Sequence, residues 1–223
     1  MKKIIVLYSG GLDSTTVLYW ALSKKYQVTA LTFDYGQMHR KEILLTRQEC
    51  KRLQIPHYRI SIKMPWKGSA LLDAHIPIPM RDSSVPGKPV IPVTYVPARN
   101  ALFLAYAASC AEALGADAIA IGANAIDYSG YPDCRPRFLS AFQHLLKVGT
   151  KAGVEGRGIR ILAPLVHKSK GDIVRLAARL RVPFHKTWSC YQGGARPCGH
   201  CESCRLRRKG FESAGFADPA VVR

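Results

Sequence analysis

Long apolar runs are missing from this chain of 223 residues. The first apolar run, residues 4–7, stops at a pair of glycines, too short for the core of a signal peptide and far too short to span a bilayer. A cytoplasmic protein without a membrane partner is therefore expected. Acidic residues are scarce, with 15 Asp plus Glu against 33 Lys plus Arg, a formal charge of +18. That balance favours anionic ligands but does not choose among a nucleotide, a carboxylate and RNA, because the Coulomb attraction is blind to which anion carries the charge. The basic residues are mostly dispersed (Lys24, Lys25, Arg40, Lys41, Lys51, Arg52, Arg175, Arg179, Arg181), and one dense run falls at 205–209. This reads as a solvated surface, so direct nucleic-acid binding is not expected. Internal repeats and low-complexity segments are absent. Cysteines are few and unevenly spread: of seven, four lie between Cys190 and Cys204, while Cys50, Cys110 and Cys134 are scattered. Such spacing argues against a disulfide framework and for a metal site in a reducing compartment. A hydrophobic content of 48% and this length accommodate one buried α/β domain with an appendage.

What is present is concentrated in Leu7-Tyr8-Ser9-Gly10-Gly11-Leu12-Asp13-Ser14-Thr15, where a short strand runs through two glycines directly into a helix. Glycines at 10 and 11 permit positive φ and let backbone N–H groups converge on an anion, with hydroxyls of Ser9, Ser14 and Thr15 as further donors. The unpaired first-turn N–H groups and dipole of the following helix stabilise phosphate at the same place. No lysine stands in the loop, which excludes the kinase-type pattern G-x-x-x-x-G-K-[ST]. Asp13, beside a polyphosphate, needs an intervening cation and reads as a Mg²⁺ ligand. A bare two-glycine turn would equally suit an ordinary strand-to-helix connection with a capping serine.

Along the chain, Val17, Leu18, Ala21 and Leu22 recur at helical spacing, and 28–33 forms a second strand ending in Asp34-Tyr35-Gly36-Gln37-Met38-His39. A helix is expected over 42–53 and a strand over 58–62. Prolines at 65, 77, 79, 86, 89, 92 and 97 rule out a long helix in that stretch, which is placed to cover a nucleotide site. Arg99 and Asn100 open a helix over 101–114 that is apolar nearly all round and so expected between other elements. A buried central strand follows at 118–122. The segment 123–135 is rich in hydrogen-bonding groups and poor in packing residues, as binding loops are. Phe138, Phe142, Leu145 and Leu146 resume helical spacing, 159–163 makes a last strand, and Lys168 and Lys170 stand at a further helix start.

Cys190-x7-Cys198-x2-Cys201-x2-Cys204 is the second strong pattern. Four thiolates with two-residue spacers suit one closed, structural Zn²⁺, with His200 a bystander. An iron-sulfur cluster is the rival, although the Cys-Pro ending of ferredoxin runs is missing.

The Ser9 to Thr15 string resembles the signature of the PP-loop ATP pyrophosphatases. The match extends through Asp34-Tyr35-Gly36-Gln37 with His39 and Glu42, Val96-Pro97-Ala98-Arg99-Asn100, Asp127 with Ser129-Gly130-Tyr131-Pro132-Asp133-Cys134-Arg135, Lys170, the four cysteines, and Gly210-Phe211 with Ala214-Gly215. Within that group the chain resembles the 7-cyano-7-deazaguanine synthase family; Arg137 and Asp172 depart from it, standing where glutamates are expected. The resemblance implies a doubly wound, mostly parallel five-stranded α/β sheet over 1–185 and a small four-cysteine zinc-binding segment over 186–223. It implies conversion of 7-carboxy-7-deazaguanine, free ammonia and ATP to the nitrile through an adenylated carboxylate and an amide. Free ammonia is expected because the chain has no room for a glutaminase domain and no amino-terminal cysteine. Asp13 and Lys170 are then the catalytic candidates. ATP falls to Tyr8, Ser9, Gly10, Gly11, Leu12, Asp13, Ser14, Thr15, Thr16, Val17, Leu18, Arg99, Asn100 and Gly122, with Mg²⁺ accompanying it. The substrate falls to Asp127, Ser129, Tyr131, Asp133 and Arg135, and the resemblance also implies a homodimer. Two other classes stay open. A PP-loop tRNA-thiolating enzyme would need a sulfur-carrying cysteine among Cys50, Cys110 and Cys134, and a non-catalytic zinc-bearing nucleic-acid binder would leave the ATP loop without a purpose.

Overall fold

A computed structural model describes residues 1–38, 40–79, 91–126 and 130–220. Five strands, β1 (Lys3–Leu7), β2 (Gln27–Asp34), β3 (His57–Ser61), β4 (Ala118–Ala120) and β5 (Arg160–Leu162), form one sheet in the order β3-β2-β1-β4-β5, every neighbouring pair parallel. The central strands are apolar on both faces because both faces are covered. Ile4 and Val6 of β1 pack with α1 (Leu12–Ser23), α2 (Lys41–Leu53), α6 (Lys170–Arg179) and α7 (Glu202–Ala214), through residues such as Val17, Leu18, Cys50, Ile173 and Phe211. Ile5 and Leu7 point the other way, onto α3 (Arg99–Leu114) and α4 (Pro136–Gly149) through Leu104, Ala107, Ala111, Leu139, Phe142 and Leu146. The expected doubly wound α/β sheet is what forms. Strand order reverses between β1 and β4, and ligand crevices in such sheets open beyond the carboxyl ends of the strands there.

One expectation needs correction. α3 is not enclosed: Leu104, Ala107, Ala108 and Ala111 are buried, whereas Ala105, Tyr106 and Ser109 face outward. Alanine forms helix readily without being buried, so apolar composition alone overstated the packing. Leu145 likewise lies outward, 51% exposed, because the buried stripe of α4 runs through Leu139, Phe142 and Leu146. A further turn of helix, α5 (Lys151–Val154), follows α4 directly, capped by the Thr150 hydroxyl, which accepts from Gly153 N at 3.0 Å.

The carboxyl-terminal helix α7 lies against α6 at two glycines. A Cβ at Gly210 would come within 2.3 Å of Lys170 Cγ, and one at Gly171 within 2.3 Å of Ser213 Oγ. α6 begins with a full capping box: the Ser169 hydroxyl accepts from Asp172 N, and the Asp172 carboxylate accepts from Ser169 N. Asp172 also binds Arg175 at 2.7 Å, and these bonds hold its carboxyl down at about 2. Asp172 thus closes the cap at the position where the resemblance expects a glutamate, a residue that serves the same cap.

Candidate functional site

The loop after β1 turns at Gly10, whose φ of +82° and contact with α2 exclude any side chain: a Cβ would sit 2.8 Å from Glu42 O. Gly11 departs from expectation, with an extended φ of −73° as the residue that precedes α1. Smallness rather than handedness matters there, because Gly11 lines the cleft. No side chain caps α1. Its first-turn residues Leu12, Asp13 and Ser14 face the cleft, leaving an anion-binding helix end. Ser9 and Ser14 meet through their hydroxyls at 3.0 Å and line the same space.

Other residues of the motif point elsewhere. The Thr15 hydroxyl donates to Gly11 O at 2.7 Å and the Thr16 hydroxyl to Leu12 O at 2.8 Å, turned back onto the helix. Val17 and Leu18 are completely buried beneath the sheet. Tyr8 is buried at the cleft floor. Gly122 beyond β4 is held against α1, where a Cβ would lie 3.2 Å from Ser14 N.

Lys170 closes this end of the cleft. Its ammonium reaches both Asp13 oxygens, at 2.8 and 3.0 Å, although 157 residues separate them in sequence. Both side chains are largely buried.

A second group gathers at the α3 face. The Arg99 guanidinium donates to the Tyr35 hydroxyl at 3.0 Å and lies over that ring, 5.6 Å from its centroid. Burial opposes its charge, but the surroundings of Tyr35, Tyr131, Asp133 and Cys134 more than restore it. Ala98 enters α3 in the left-handed region, φ 53°, and aims Arg99 inward. Asn100 is buried. Its N–H donates to the Asp133 carboxylate at 3.0 Å and its amide to Asp133 O at 3.0 Å and Cys134 Sγ at 3.3 Å. Asp133 is therefore engaged in holding α3, and burial pushes its carboxyl up. Tyr131 lines the cleft, its hydroxyl 2.7 Å from Thr94 Oγ1. Arg135 is exposed at the start of α4 and does not line the cleft. His39, Asp127 and Ser129 lie outside the described residues.

The far wall was not foreseen. Trp188, Ser189, Tyr191, Ser203 and Arg207, all near the cysteines, face the same cleft as the glycine loop. Trp188 N donates to Gly10 O at 3.0 Å, and Lys41 Nζ stands 4.0 Å over its indole. Arg207 is buried, bidentate to Asp218 at 2.7 and 2.9 Å, and donates to the Thr187 hydroxyl at 2.8 Å. A tryptophan beside a cysteine cluster carried no periodic signal; only its proximity to a strong motif hinted at a role. The basic run at 205–209 is thus divided, with Arg207 inside while Arg208 and Lys209 are exposed.

The sulfurs of Cys190, Cys198, Cys201 and Cys204 lie within 4.8 Å of one another, a group able to hold a metal ion. Backbone N–H groups of Gln192 and Cys198 approach Cys190 Sγ at 3.4 and 3.3 Å, as donors do at metal-bound thiolates. Burial disfavours the thiolate at the three remaining cysteines, pushing Cys50 up to about 12, Cys134 up to about 11, and Cys110 upward.

Comparisons with known proteins agree with one another. A protein named 7-cyano-7-deazaguanine synthase from Acetivibrio thermocellus is 50% identical over 218 residues, covering 98% of this chain and 96% of the relative. One of the same name from Desulfitobacterium hafniense is 51% identical over 219 residues, covering 98% and 92%. Among solved structures, the U34-tRNA thiolase NcsA from Methanococcus maripaludis with its [4Fe-4S] cluster aligns with a TM-score of 0.50 at 15% identity, over 96% of this chain and 69% of that one, a likeness of fold alone. Residues 3–215 match the family model described as queuosine biosynthesis protein QueC, and with relatives at this identity along nearly the whole chain, the protein belongs to that family.

Proposed function

We propose that this enzyme is an ATP-dependent carbon-nitrogen ligase that converts 7-carboxy-7-deazaguanine and ammonia to 7-cyano-7-deazaguanine. The observation that carries the reading is the single cleft into which the uncapped α1 terminus, Asp13, Lys170 and the Tyr35–Arg99–Tyr131 group all open. It supports a nucleotide and a planar anionic substrate side by side. The names of the relatives supply the substrate class.

A carboxylate resists ammonia because its oxygen is a poor leaving group, so an oxygen must first attack the α phosphorus of ATP and expel pyrophosphate. Ammonia then displaces AMP and leaves the amide. A second adenylation of the amide oxygen, followed by loss of AMP and protons, gives the nitrile. Backbone N–H groups at the start of α1 bind the phosphates, and Lys170 offers its ammonium to the pyrophosphate as negative charge grows there. Asp13, which lines the cleft at the start of α1, would be the carboxylate that holds Mg²⁺, and that ion would supply charge neutralisation for the leaving group.

The four cysteines hold structural zinc in this reading. Four Zn–S bonds of about 2.3 Å in a tetrahedron set sulfurs about 3.8 Å apart, and Cys198 and Cys204 stand at 3.9 Å. A four-iron cube would spread them further. tRNA thiolation is not favoured, since the relatives along nearly the whole chain are named for the nitrile synthase and burial disfavours the thiolate at the three cysteines outside the cluster.

The test is incubation with 7-carboxy-7-deazaguanine, ammonium and MgATP, read by mass spectrometry. The nitrile, AMP and pyrophosphate are expected, and 7-amido-7-deazaguanine supplied instead should need ATP but no ammonia. ADP as the main nucleotide product, or no nitrile, would overturn the proposal.

A further inference from the structure

Three cationic side chains line the cleft, and their partners differ: Arg207 is held by Asp218 at 2.7 and 2.9 Å. Lys170 is neutralised by Asp13. Arg99 is half-buried, and among the described residues its partners are a tyrosine hydroxyl and a tyrosine ring, with no carboxylate bonded to it. The nearby Asp133 carboxylate instead accepts from Asn100 N at 3.0 Å, at the start of α3. Asp133 favours the charge on Arg99 from nearby but directs its hydrogen bonding to Asn100, so among the described residues the forked donors of this cavity-lining guanidinium have no bonded carboxylate and suit an anion that a ligand brings. The phosphate end already has its own donors, namely the free N–H groups of α1, the Ser9 and Ser14 hydroxyls and Lys170. Around Arg99 the walls are instead Tyr35, Phe103 and Tyr131, flat apolar surfaces with polar tips, suited to a planar heterocycle.

Building on the proposed reaction, we infer that Arg99 receives the carboxylate of the heterocyclic acid, not the phosphates of the nucleotide, and so reads the charge of the first-step substrate. The guanidinium offers planar, forked donors of the kind a carboxylate accepts. The amide formed in the first half-reaction is neutral, so its recognition depends far less on Arg99. That asymmetry makes the site testable.

Steady-state kinetics of wild type, Arg99→Gln, Arg99→Lys and Tyr35→Phe are compared with the acid, with the amide, and with ATP varied. Loss of a charge-assisted contact should raise KM for the acid roughly 10- to 100-fold in Arg99→Gln. KM for ATP and kcat/KM for the amide should stay within about threefold on the same reasoning, and Arg99→Lys should recover part of the loss because the charge remains. If Arg99→Gln shows no cooperative melting, Tyr35→Phe carries the test: freeing the guanidinium should raise the acid KM several-fold while sparing the amide. Equal losses for acid and amide, or a matching rise in KM for ATP, would overturn the subsite while wild-type activity keeps the reaction intact. A wild-type chain that makes no nitrile would instead overturn the reaction, and the subsite with it.

Discussion

Asp13 combines an observed pairing with a proposed role at the phosphates. Its carboxylate is expected to work at the phosphates, but in this structure it also balances the buried ammonium of Lys170 at 2.8 Å. Replacing it with alanine should abolish turnover and, by stranding a buried charge, cost about 3 kcal/mol of stability. The double variant Asp13→Ala/Lys170→Met should regain stability without regaining activity, since the orphan charge is gone while the chemistry is not restored. Thermal melts of the two variants beside an AMP-release assay check this; melts that fall further in the double variant would refute the pairing energetics. The need for glycine at position 10 was legible in sequence, because a strand entering a helix through adjacent glycines announces a positive φ. The partner of Asp13 was not, because local patterns carry no information about which lysine returns from 157 residues away.

Between elements, contacts of small residues set the geometry. Gly210 of α7 faces the stem of Lys170, so Gly210→Ala would force apart two helices whose backbones are already close, Lys170 C lying 3.2 Å from the added methyl. Overpacking of this kind costs about 1–3 kcal/mol, and because Lys170 is the residue displaced, turnover should fall as well. Gly171→Ala meets a hydroxyl that can rotate and should be milder in both melting temperature and rate. A different clasp joins α1 and α2: Glu49, buried, receives Arg52 at 2.6 Å and the Tyr19 hydroxyl, with Lys186 at 3.6 Å. Burial works against this carboxylate, yet the bonds from Arg52 and Tyr19 prevail and hold it below its ordinary value of 4.5. The unfolded chain then takes up this proton first on acidification. Its stabilisation is complete above pH 4.5 and is lost as pH falls through the lower folded value. Glu49→Gln should be less stable at neutral pH and should show a flatter decline in acid, measured by urea unfolding across that range. Helix and strand positions were readable from periodicity; α3 was overread because alanine satisfies an apolar pattern without needing cover.

At the scale of the molecule, the cysteine segment is more than an appendage, for Trp188 hydrogen-bonds to Gly10 and Arg207 ties Thr187 to Asp218. Removing metal with a chelator, or replacing Cys204 with serine, should lower the melting temperature and weaken ATP binding together. Calorimetry of the stripped protein that finds ATP affinity unchanged would separate the two. The four-cysteine spacing made a cluster able to hold a metal legible, but not that its neighbours wall the cleft, because nothing in a spacing says what the segment leans on.

The strand order has a consequence in time. β1 is made first, yet it lies in the middle of the sheet, and its partner on one side, β4, pairs Ala118 with Ile4. At ribosomal rates of about 5–20 residues per second, that edge stays unpaired for roughly ten seconds during synthesis. For that interval a nascent chain displays Ile4, Ile5 and Val6 as an open apolar ribbon, the kind of edge to which another strand adds. A chain slowed before residue 118 would be most exposed to sticking to its neighbours, long before any substrate could bind.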